Sequence, residues 1–319
     1  MTFEAVTRLA EQVKTNIGRV IVGKEEVVEL LLIGLITSGH VLLEDVPGTG
    51  KTLLAKSLSR SLDLSFKRIQ FTPDLLPSDL SGIHFYNQKT SEFEFRAGPL
   101  FTNLLLADEI NRATPRTQSS LLECMEERQI SIDGETKRLE RPLMVIATQN
   151  PVEHQGTFPL PEAQLDRFLF KIKMGYPSTE EGLKLLKRFK SDDPLAALEP
   201  VADIGAIVNA QLAYKDVKVT DDVLLYMLQI VEATRNRDEV SVGVSPRGSQ
   251  ALLRAAQVHA ILRGRDFVTP DDVKAMAKPA LAHRLAIRGM QRTAGNAEAV
   301  VDDIIRQIPV PTEAGLTVR

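Results

Sequence analysis

Short apolar runs and amphipathic stretches alternate along the first half of the chain, a pattern typical of strands that alternate with helices. The apolar runs predict strands over residues 40–44, 65–71, 101–108, 143–148 and 168–174. The amphipathic stretches predict helices over residues 24–38, 52–61 and 117–127. Several of these strands have almost no polar residues, as expected of strands buried on both faces. The sequence therefore predicts an α/β fold with a parallel sheet.

The pattern changes in the second part of the chain, where helix signals continue and strand signals become rare. Residues 178–181 read Ser-Thr-Glu-Glu, a capping box that predicts the start of a helix. Thr220 and Thr269 are predicted to cap two later helices. We therefore predict two domains, an α/β core over residues 1–177 and a smaller, all-helical domain over residues 178–319.

The loop that follows the first predicted strand carries the most specific signal in the chain. The strand runs into a Pro- and Gly-rich loop that ends in Gly-Lys-Thr ahead of a helix. This is the order of a P-loop, in which glycines let successive N–H groups face one phosphate and the helix adds its positive end. We therefore predict a nucleotide-phosphate site formed by Pro47, Gly48, Thr49, Gly50, Lys51, Thr52 and Leu53.

Two side chains of this loop have distinct expected roles. Lys51 can reach the β- and γ-phosphates, and the Thr52 hydroxyl can hold Mg²⁺. Asp45 stands where the strict motif has glycine. Since a carboxylate would repel the triphosphate, we expect the Asp45 side chain to point away from it.

Further polar residues follow the buried strands in the order that ATP hydrolysis requires. Asp108 and Glu109 close an apolar strand, and Asn150 follows the next one. Asp108 can hold the water shell of Mg²⁺, and Glu109 can orient or deprotonate the attacking water. Asn150 can sense the γ-phosphate or position the same water. A parallel sheet brings such strand ends together, so we expect these side chains near the P-loop.

Two arginines are candidates for contact with transition-state phosphate oxygens, which a planar guanidinium suits. Arg167 lies just before the last predicted strand, and Arg247 opens a helix of the second domain. Taken alone, either arginine is more simply explained by a surface ion pair.

Together these segments resemble the MoxR family of AAA+ ATPases over roughly residues 15–310. The resemblance is carried by residues 43–52 (Leu-Glu-Asp-Val-Pro-Gly-Thr-Gly-Lys-Thr), 107–113 (Ala-Asp-Glu-Ile-Asn-Arg-Ala) and 147–168, which ends in Leu-Pro-Glu-Ala-Gln-Leu-Asp-Arg-Phe. It implies a parallel five-stranded core with a helical lid. It also implies a ring, usually a hexamer, with ATP and Mg²⁺ at each subunit interface.

The resemblance assigns roles within one subunit. Lys51 and Thr52 are the phosphate-loop residues, and Thr52 and Asp108 bind the magnesium ion. Glu109 is the catalytic carboxylate, and Asn150 is the first sensor.

Other roles concern the lid, the neighbouring subunit and the base of the nucleotide. The resemblance makes Arg167 the finger that acts on the neighbour's ATP and Arg247 the second sensor, on the lid. Val22 and Gly23 match the segment that lies near the adenine. MoxR members often carry a residue other than glycine at the position of Asp45, so this departure fits the family.

Two insertions interrupt the predicted core. Residues 79–99 hold four aromatic side chains, which are Phe85, Tyr86, Phe93 and Phe95. Cross-strand packing within a hairpin is the favoured explanation, and a substrate-contacting loop that faces the pore of a ring is the alternative. Residues 129–139 alternate in character around Asp133-Gly134, which predicts a tight hairpin.

Composition and charge restrict the possible functions. The net charge is only −3, and no basic stripe with interleaved aromatics is present, so nucleic-acid binding is not expected. The single cysteine, Cys124, lies in an apolar helical stripe and is predicted to be core. It excludes an intrachain disulfide and fits a reducing compartment, so we expect a cytoplasmic protein. The most apolar stretch, residues 27–37, is too short for membrane insertion.

The leading prediction is an ATPase that remodels or matures protein complexes, as a chaperone does. The resemblance implies partners that contain von Willebrand factor A domains. The alternatives are a magnesium-chelatase-like motor subunit, a nucleic-acid-associated AAA+ motor, and a switch that holds ATP and hydrolyses it slowly. Glu109 argues against the switch, and the Gly-Ala-Phe-Thr-Gly-Ala loop of the related enhancer-binding activators is missing.

Overall fold

A computed structural model describes residues 1–44, 46, 48–150, 156–188, 190, 194–288 and 294–311. The helices are α1 (Phe3–Gly18), α2 (Glu25–Ile36), α3 (Lys51–Ser61), α4 (Pro77–Ser81), α5 (Pro115–Glu127), α6 (Glu162–Leu165), α7 (Thr179–Arg188), α8 (Ile204–Ala213), α9 (Asp221–Arg235), α10 (Pro246–Leu262), α11 (Pro270–Leu281) and α12 (Ala294–Gln307). The strands are β1 (Val41–Glu44), β2 (Phe66–Gln70), β3 (Gly82–Asn87), β4 (Glu92–Ala97), β5 (Leu104–Asp108), β6 (Gln129–Ile132), β7 (Glu135–Arg138), β8 (Met144–Gln149), β9 (Phe170–Ile172), β10 (Val240–Val242) and β11 (Ala286–Ile287).

Five strands form one sheet in the order β2–β5–β8–β1–β9, which confirms the predicted α/β fold. The β2–β5, β5–β8 and β1–β8 pairs are parallel, so the carboxyl ends of these four strands lie along one edge. Strands β1 and β5 are wholly buried and β8 nearly so, as their apolar runs predicted. At one edge of the sheet, β2 exposes Arg68 and Gln70.

The chain divides into two compact units. The α/β unit comprises Glu11–Leu160 and Ile172–Val208, and the helical unit comprises Met1–Ala10, Pro161–Lys171 and Asn209–Arg319. Two short segments of the predicted α/β core, residues 1–10 and 161–171, therefore belong to the helical unit. The predicted division into two domains, residues 1–177 and 178–319, stays a prediction.

Three predicted helix starts are confirmed by their capping bonds. Ser178 Oγ accepts the N–H of Glu181 at 3.2 Å, and the Glu181 carboxylate accepts the N–H of Ser178 at 2.7 Å. The Thr220 hydroxyl accepts the N–H of Val223 at 3.4 Å. The N–H of Thr269 donates to the Asp272 carboxylate at 2.8 Å. These bonds satisfy N–H groups that the first turn of a helix leaves without a helical partner.

The helical unit contains one feature that the sequence did not predict. Strands β10 and β11 form a small antiparallel pair within it. They contain three and two residues, respectively. Runs this short give no readable alternation of apolar and polar positions, so the expectation of a purely helical domain needed this correction.

Both predicted insertions are hairpins. Strands β3 and β4 pair in antiparallel register, with Tyr86 opposite Phe93 and their ring centroids 5.4 Å apart. The predicted cross-strand packing is thus confirmed for this pair, although Phe93 remains 74% exposed. Strands β6 and β7 join through Asp133 (φ 51°) and Gly134 (φ 85°), the left-handed geometry of a two-residue hairpin turn.

The two hairpins contact each other. His84 Nδ1 of the first hairpin lies 2.7 Å from Asp133 Oδ2 of the second. The ammonium of Lys137 lies 4.7 Å from the centroid of the Phe95 ring. The hairpins therefore form one continuous surface, on which Tyr86 and Phe93 are exposed.

Cys124 is buried in α5, and this burial raises the pKa of its thiol to about 12. The thiolate, which is the nucleophilic form, is therefore scarce at neutral pH. The prediction of a core cysteine is confirmed.

His40, which immediately precedes β1, links β8 and α5 from a fully buried position. Its Nδ1 accepts the N–H of Val145 at 2.9 Å, so Nε2 carries the hydrogen and donates to the carbonyl of Met125 at 3.0 Å. Desolvation of the charged form lowers the pKa of His40 from 6.5 to about 4. The folded protein therefore requires the neutral imidazole.

We expect this histidine to make the α/β unit less stable in mild acid. The pKa of His40 is lower in the folded protein than in the unfolded chain. Its contribution to stability is therefore complete above pH 6.5 and is lost as the pH falls towards about 4. The shift corresponds to about 3 kcal/mol. Denaturant titrations of the wild type and His40→Asn at pH 7 and pH 4 should show the difference in unfolding free energy shrinking by about that amount. An equal difference at both pH values would contradict this role.

Candidate active site

The loop after β1 has the backbone geometry of a phosphate cradle. Gly48 has φ 84° and Gly50 has φ 89°, a left-handed conformation that glycine adopts without strain. Gly50 occupies the N-cap position of α3 and has no side chain that could cover the first N–H groups of the helix. Lys51 Nζ donates to the carbonyl of Val46 at 2.8 Å. Asp45 and Pro47 lie outside the described residues, so the expectations for them stay predictions.

A cleft of about 410 Å³ opens at the carboxyl edge of the sheet. It is lined by the predicted residues Gly48, Gly50, Lys51, Thr52, Leu53, Asp108, Glu109 and Asn150. Four more residues line it, which are Arg68, Gln70, Thr148 and Gln149. The P-loop, the two carboxylates and the Asn150 amide therefore meet in one cleft, as expected of strand ends in a parallel sheet.

Asp108 holds its carboxylate in a defined orientation. Oδ2 accepts a bond from Arg68 Nε at 2.6 Å, and Oδ1 accepts one from the Thr148 hydroxyl at 3.1 Å. The side chain is only 9% exposed, and a buried carboxylate requires such partners. It ends β5, next to β8, and lies in the cleft that the P-loop also lines, which suits a ligand of a nucleotide-bound cation.

Glu109 has a strained backbone at the end of β5, with φ 56° and ψ 49°. This region is uncommon for residues other than glycine and often marks functional sites. The N–H of Glu109 donates to the Thr148 hydroxyl at 2.9 Å, which stabilises the turn. Its carboxylate accepts a bond from Gln70 Nε2 at 2.6 Å and pairs with Arg112 at 2.9 Å.

Arg68 and Gln70 were not recognised in the sequence. They are two residues apart on β2 and so project from the same side of the strand. Arg68 contacts Asp108, Gln70 contacts Glu109, and Arg68 Nη2 also lies 3.4 Å from Gln70 Oε1. The polar positions were visible, but the sequence alone did not establish that β2 pairs with β5.

Three other predicted residues of this unit are not among those that line the cleft. The hydroxyl of Thr49 donates to the carbonyl of Val46 at 3.3 Å, and Thr49 is not among the residues that line the cleft. Val22 and Gly23 are not among them either. Gly23 has φ 68°, and a Cβ at this position would lie 1.7 Å from Glu181 Oε1 of the α7 cap. The assignment of Val22 and Gly23 to an adenine site stays a prediction.

Arg167 and Arg247 both belong to the helical unit. Asp166, which precedes Arg167, accepts bonds from the Ser245 hydroxyl at 2.8 Å and from Arg284 Nε at 2.7 Å. Ser245 caps α10, which carries the exposed Arg247 in its first turn. The structure therefore ties together the two segments that carry the predicted arginines.

Arg284 is the centre of this connection. Its guanidinium also donates to the carbonyls of Phe168 at 2.8 Å and Leu169 at 3.2 Å. Burial lowers the pKa of Arg284, while the Asp166 carboxylate opposes that shift. Sequence reasoning missed this residue, because its partner Asp166 is 118 positions away.

Comparison with known proteins agrees with this geometry. A family profile described as "ATPase family associated with various cellular activities (AAA)" matches residues 40–170, and one described as "AAA lid domain" matches residues 232–307. The P-loop cleft on a parallel sheet, followed by a helical lid, defines the class of protein as an AAA+ ATPase.

Individual relatives indicate to which family of AAA+ ATPases the chain belongs. The chain is 50% identical over 299 residues to the uncharacterized protein YeaC of Bacillus subtilis, covering 93% of each chain. It is 44% identical to Chaperone MoxR1 of Mycobacterium tuberculosis, covering 85% of this chain and 74% of the relative. The crystal structure of a presumed ATPase from Cytophaga hutchinsonii superposes with a TM-score of 0.89 at 36% identity, covering 97% of each chain. The chain belongs to the MoxR family of AAA+ ATPases.

The length and apolar character of the helices bear on whether any of them could cross a membrane. Among the residues that the structure describes, none of the helices has the length and apolar character needed to cross a bilayer.

Proposed function

We propose that this protein is a Mg²⁺-dependent ATPase that acts as a chaperone-like motor on protein complexes. The observation that carries the proposal is the meeting of Lys51, Asp108, Glu109 and Asn150 in one cleft with a glycine cradle. The volume of this cleft, about 410 Å³, lies in the range of small-molecule sites. The same cleft supplies a phosphate loop, two carboxylates and an amide, which are groups that phosphoryl transfer to water uses.

The residues present fit a magnesium–nucleotide complex. The left-handed glycines and the start of α3 direct N–H groups towards an anion. In this proposal Lys51 leaves the carbonyl of Val46 and binds phosphate oxygens, while Thr52 and Asp108 hold the cation. When bound, Mg²⁺ would neutralise charge that develops on the phosphate oxygens. Asn150 would position the γ-phosphate or the attacking water.

Glu109 is the proposed base. Its carboxylate is oriented by Gln70 and Arg112, which both contact Oε2, so Oε1 is the oxygen that would accept a proton from water. The carboxylate already lines the cleft. Gln70 and Arg112 would therefore orient the proposed base.

The two arginines complete the proposal. We assign Arg167 to the ATP of the neighbouring subunit in a homo-oligomeric ring, most simply a hexamer, and Arg247 to the sensing of its own nucleotide. The bonds of Asp166 to Ser245 and Arg284 support this proposal, because they make the segments of both arginines move together. A change at one nucleotide would then reach the next site in the ring.

Protein clients and partners are proposed from two observations. A relative is named Chaperone MoxR1, and the β3–β4 hairpin exposes Tyr86 and Phe93. We propose that this hairpin contacts a client and that a protein with a von Willebrand factor A domain assists. Purification of the protein from its native host, with and without Tyr86→Ser and Phe93→Ser, tests whether such proteins accompany it through this surface.

The nucleotide site is tested by binding of a fluorescent ATP analogue. Lys51→Ala should weaken binding by at least about tenfold, because a charge-assisted contact to phosphate is lost. Lys56→Ala is the matched control, since Lys56 is an exposed lysine on the same helix, and it should bind as the wild type does. Equal affinities for all three proteins would place the nucleotide somewhere else.

A further inference from the structure

Asp108 has a cationic partner where the cation of the nucleotide is expected. Arg68 Nε lies 2.6 Å from Asp108 Oδ2, and the Thr148 hydroxyl donates to Oδ1 at 3.1 Å. Both oxygens of the carboxylate therefore have protein donors. Each oxygen can still accept a second bond, but a cation that approaches Asp108 meets the positive charge of Arg68 and competes with it for the same carboxylate.

The two donors differ in how easily they can withdraw. Thr148 is 2% exposed and also accepts the N–H of Glu109, so its position is fixed by the turn. The Arg68 side chain is 50% exposed and stands on an edge strand beside open solvent. Its guanidinium can therefore move into water, provided that an incoming cation replaces its charge beside Asp108.

The charges in the cleft explain why Arg68 pairs with Asp108. The Asp108 side chain is 9% exposed, and Glu109 places a second carboxylate in the same cleft. Arg112 balances the charge of Glu109, and Arg68 balances that of Asp108, which would otherwise repel the triphosphate that the P-loop attracts. The cleft therefore gains from a cation that is present before the metal arrives and that can then make way for it.

We propose that Arg68 is a placeholder cation, which neutralises Asp108 until nucleotide-bound Mg²⁺ replaces it. This inference rests on the proposed nucleotide binding. It has two consequences of opposite sign. Without metal, Arg68 favours nucleotide binding because it reduces repulsion from Asp108. With metal, Arg68 weakens Mg²⁺ binding because its positive charge repels the cation and competes with it for Asp108.

The test measures both affinities in Arg68→Gln. A fluorescent, non-hydrolysable ATP analogue is titrated in EDTA, and then Mg²⁺ is titrated into protein loaded with the analogue. We expect metal-free affinity for the analogue to fall about threefold to tenfold and the half-saturating Mg²⁺ concentration to fall about tenfold. Bound Mn²⁺, counted by electron paramagnetic resonance, gives the second affinity directly. Lys56→Gln removes one exposed charge from α3 and should change neither value.

The outcomes separate the possible roles. If Arg68→Gln weakens both affinities, or leaves both unchanged, the placeholder role is wrong although nucleotide binding stands. If the wild type binds no nucleotide in either condition, the proposed function fails and this inference fails with it. Should Arg68→Gln not fold, Arg68→Lys replaces it. A lysine ammonium keeps the positive charge but is more strongly hydrated, so it should pair less tightly with Asp108, and Mg²⁺ should bind more tightly while metal-free affinity stays close to that of the wild type.

Discussion

Glu109→Gln is expected to bind ATP as the wild type does and to lose at least about a hundredfold in turnover. The amide keeps the size of the side chain and can still contact Gln70, but it cannot accept a proton from water. Steady-state phosphate release and analogue binding, measured on the same preparation, separate the two effects. A loss of turnover without a loss of affinity is the signature of a group that acts in the transition state.

The control for this change is Glu123→Gln, which removes an exposed carboxylate of α5 and should keep full activity. If Glu109→Gln hydrolysed ATP at the wild-type rate, Glu109 would not be the base. A comparable loss in Glu123→Gln would point to a general effect of charge on the protein.

Arg167→Ala is expected to keep nucleotide affinity and to lose roughly a thousandfold in turnover, the effect of an arginine supplied across an interface. For the same reason, specific activity of the wild type should rise with protein concentration as rings form. The measurement is phosphate release over a range of concentrations, together with the mass of the assembly.

Mixing two inactive variants tests whether Arg167 acts on a neighbour. Lys51→Ala has a damaged loop but an intact Arg167, so some interfaces in a mixture with Arg167→Ala pair an intact loop with an intact arginine. Partial recovery of activity is expected. Activity that does not depend on concentration, together with no recovery in the mixture, would show that Arg167 does not act across an interface.

The parts of the site that the sequence predicted are those that local signals determine. The P-loop is contiguous, and Asp108, Glu109 and Asn150 each follow a buried apolar run. A parallel sheet then places the carboxyl ends of all its strands along one edge. Fold class, helix caps and cleft could therefore be predicted before the topology was known.

The parts that were missed depend on tertiary pairing. Arg68 and Gln70 reach the carboxylates only because β2 pairs with β5, and Asp166 meets Arg284 only because the helical unit collects distant segments. The β10–β11 pair is too short to give a pattern. Each of these features is set by packing between segments, on which local sequence carries little information.

The central claim is that this cleft hydrolyses ATP with the help of Mg²⁺. The most direct measurement is phosphate release by the wild type at excess ATP, with Mg²⁺ and with EDTA, beside Lys51→Ala purified in the same way as a control for contaminating ATPases. The account predicts steady release by the wild type that stops in EDTA and is nearly absent in Lys51→Ala. Equal release by both proteins, or release that continues in EDTA, would contradict it.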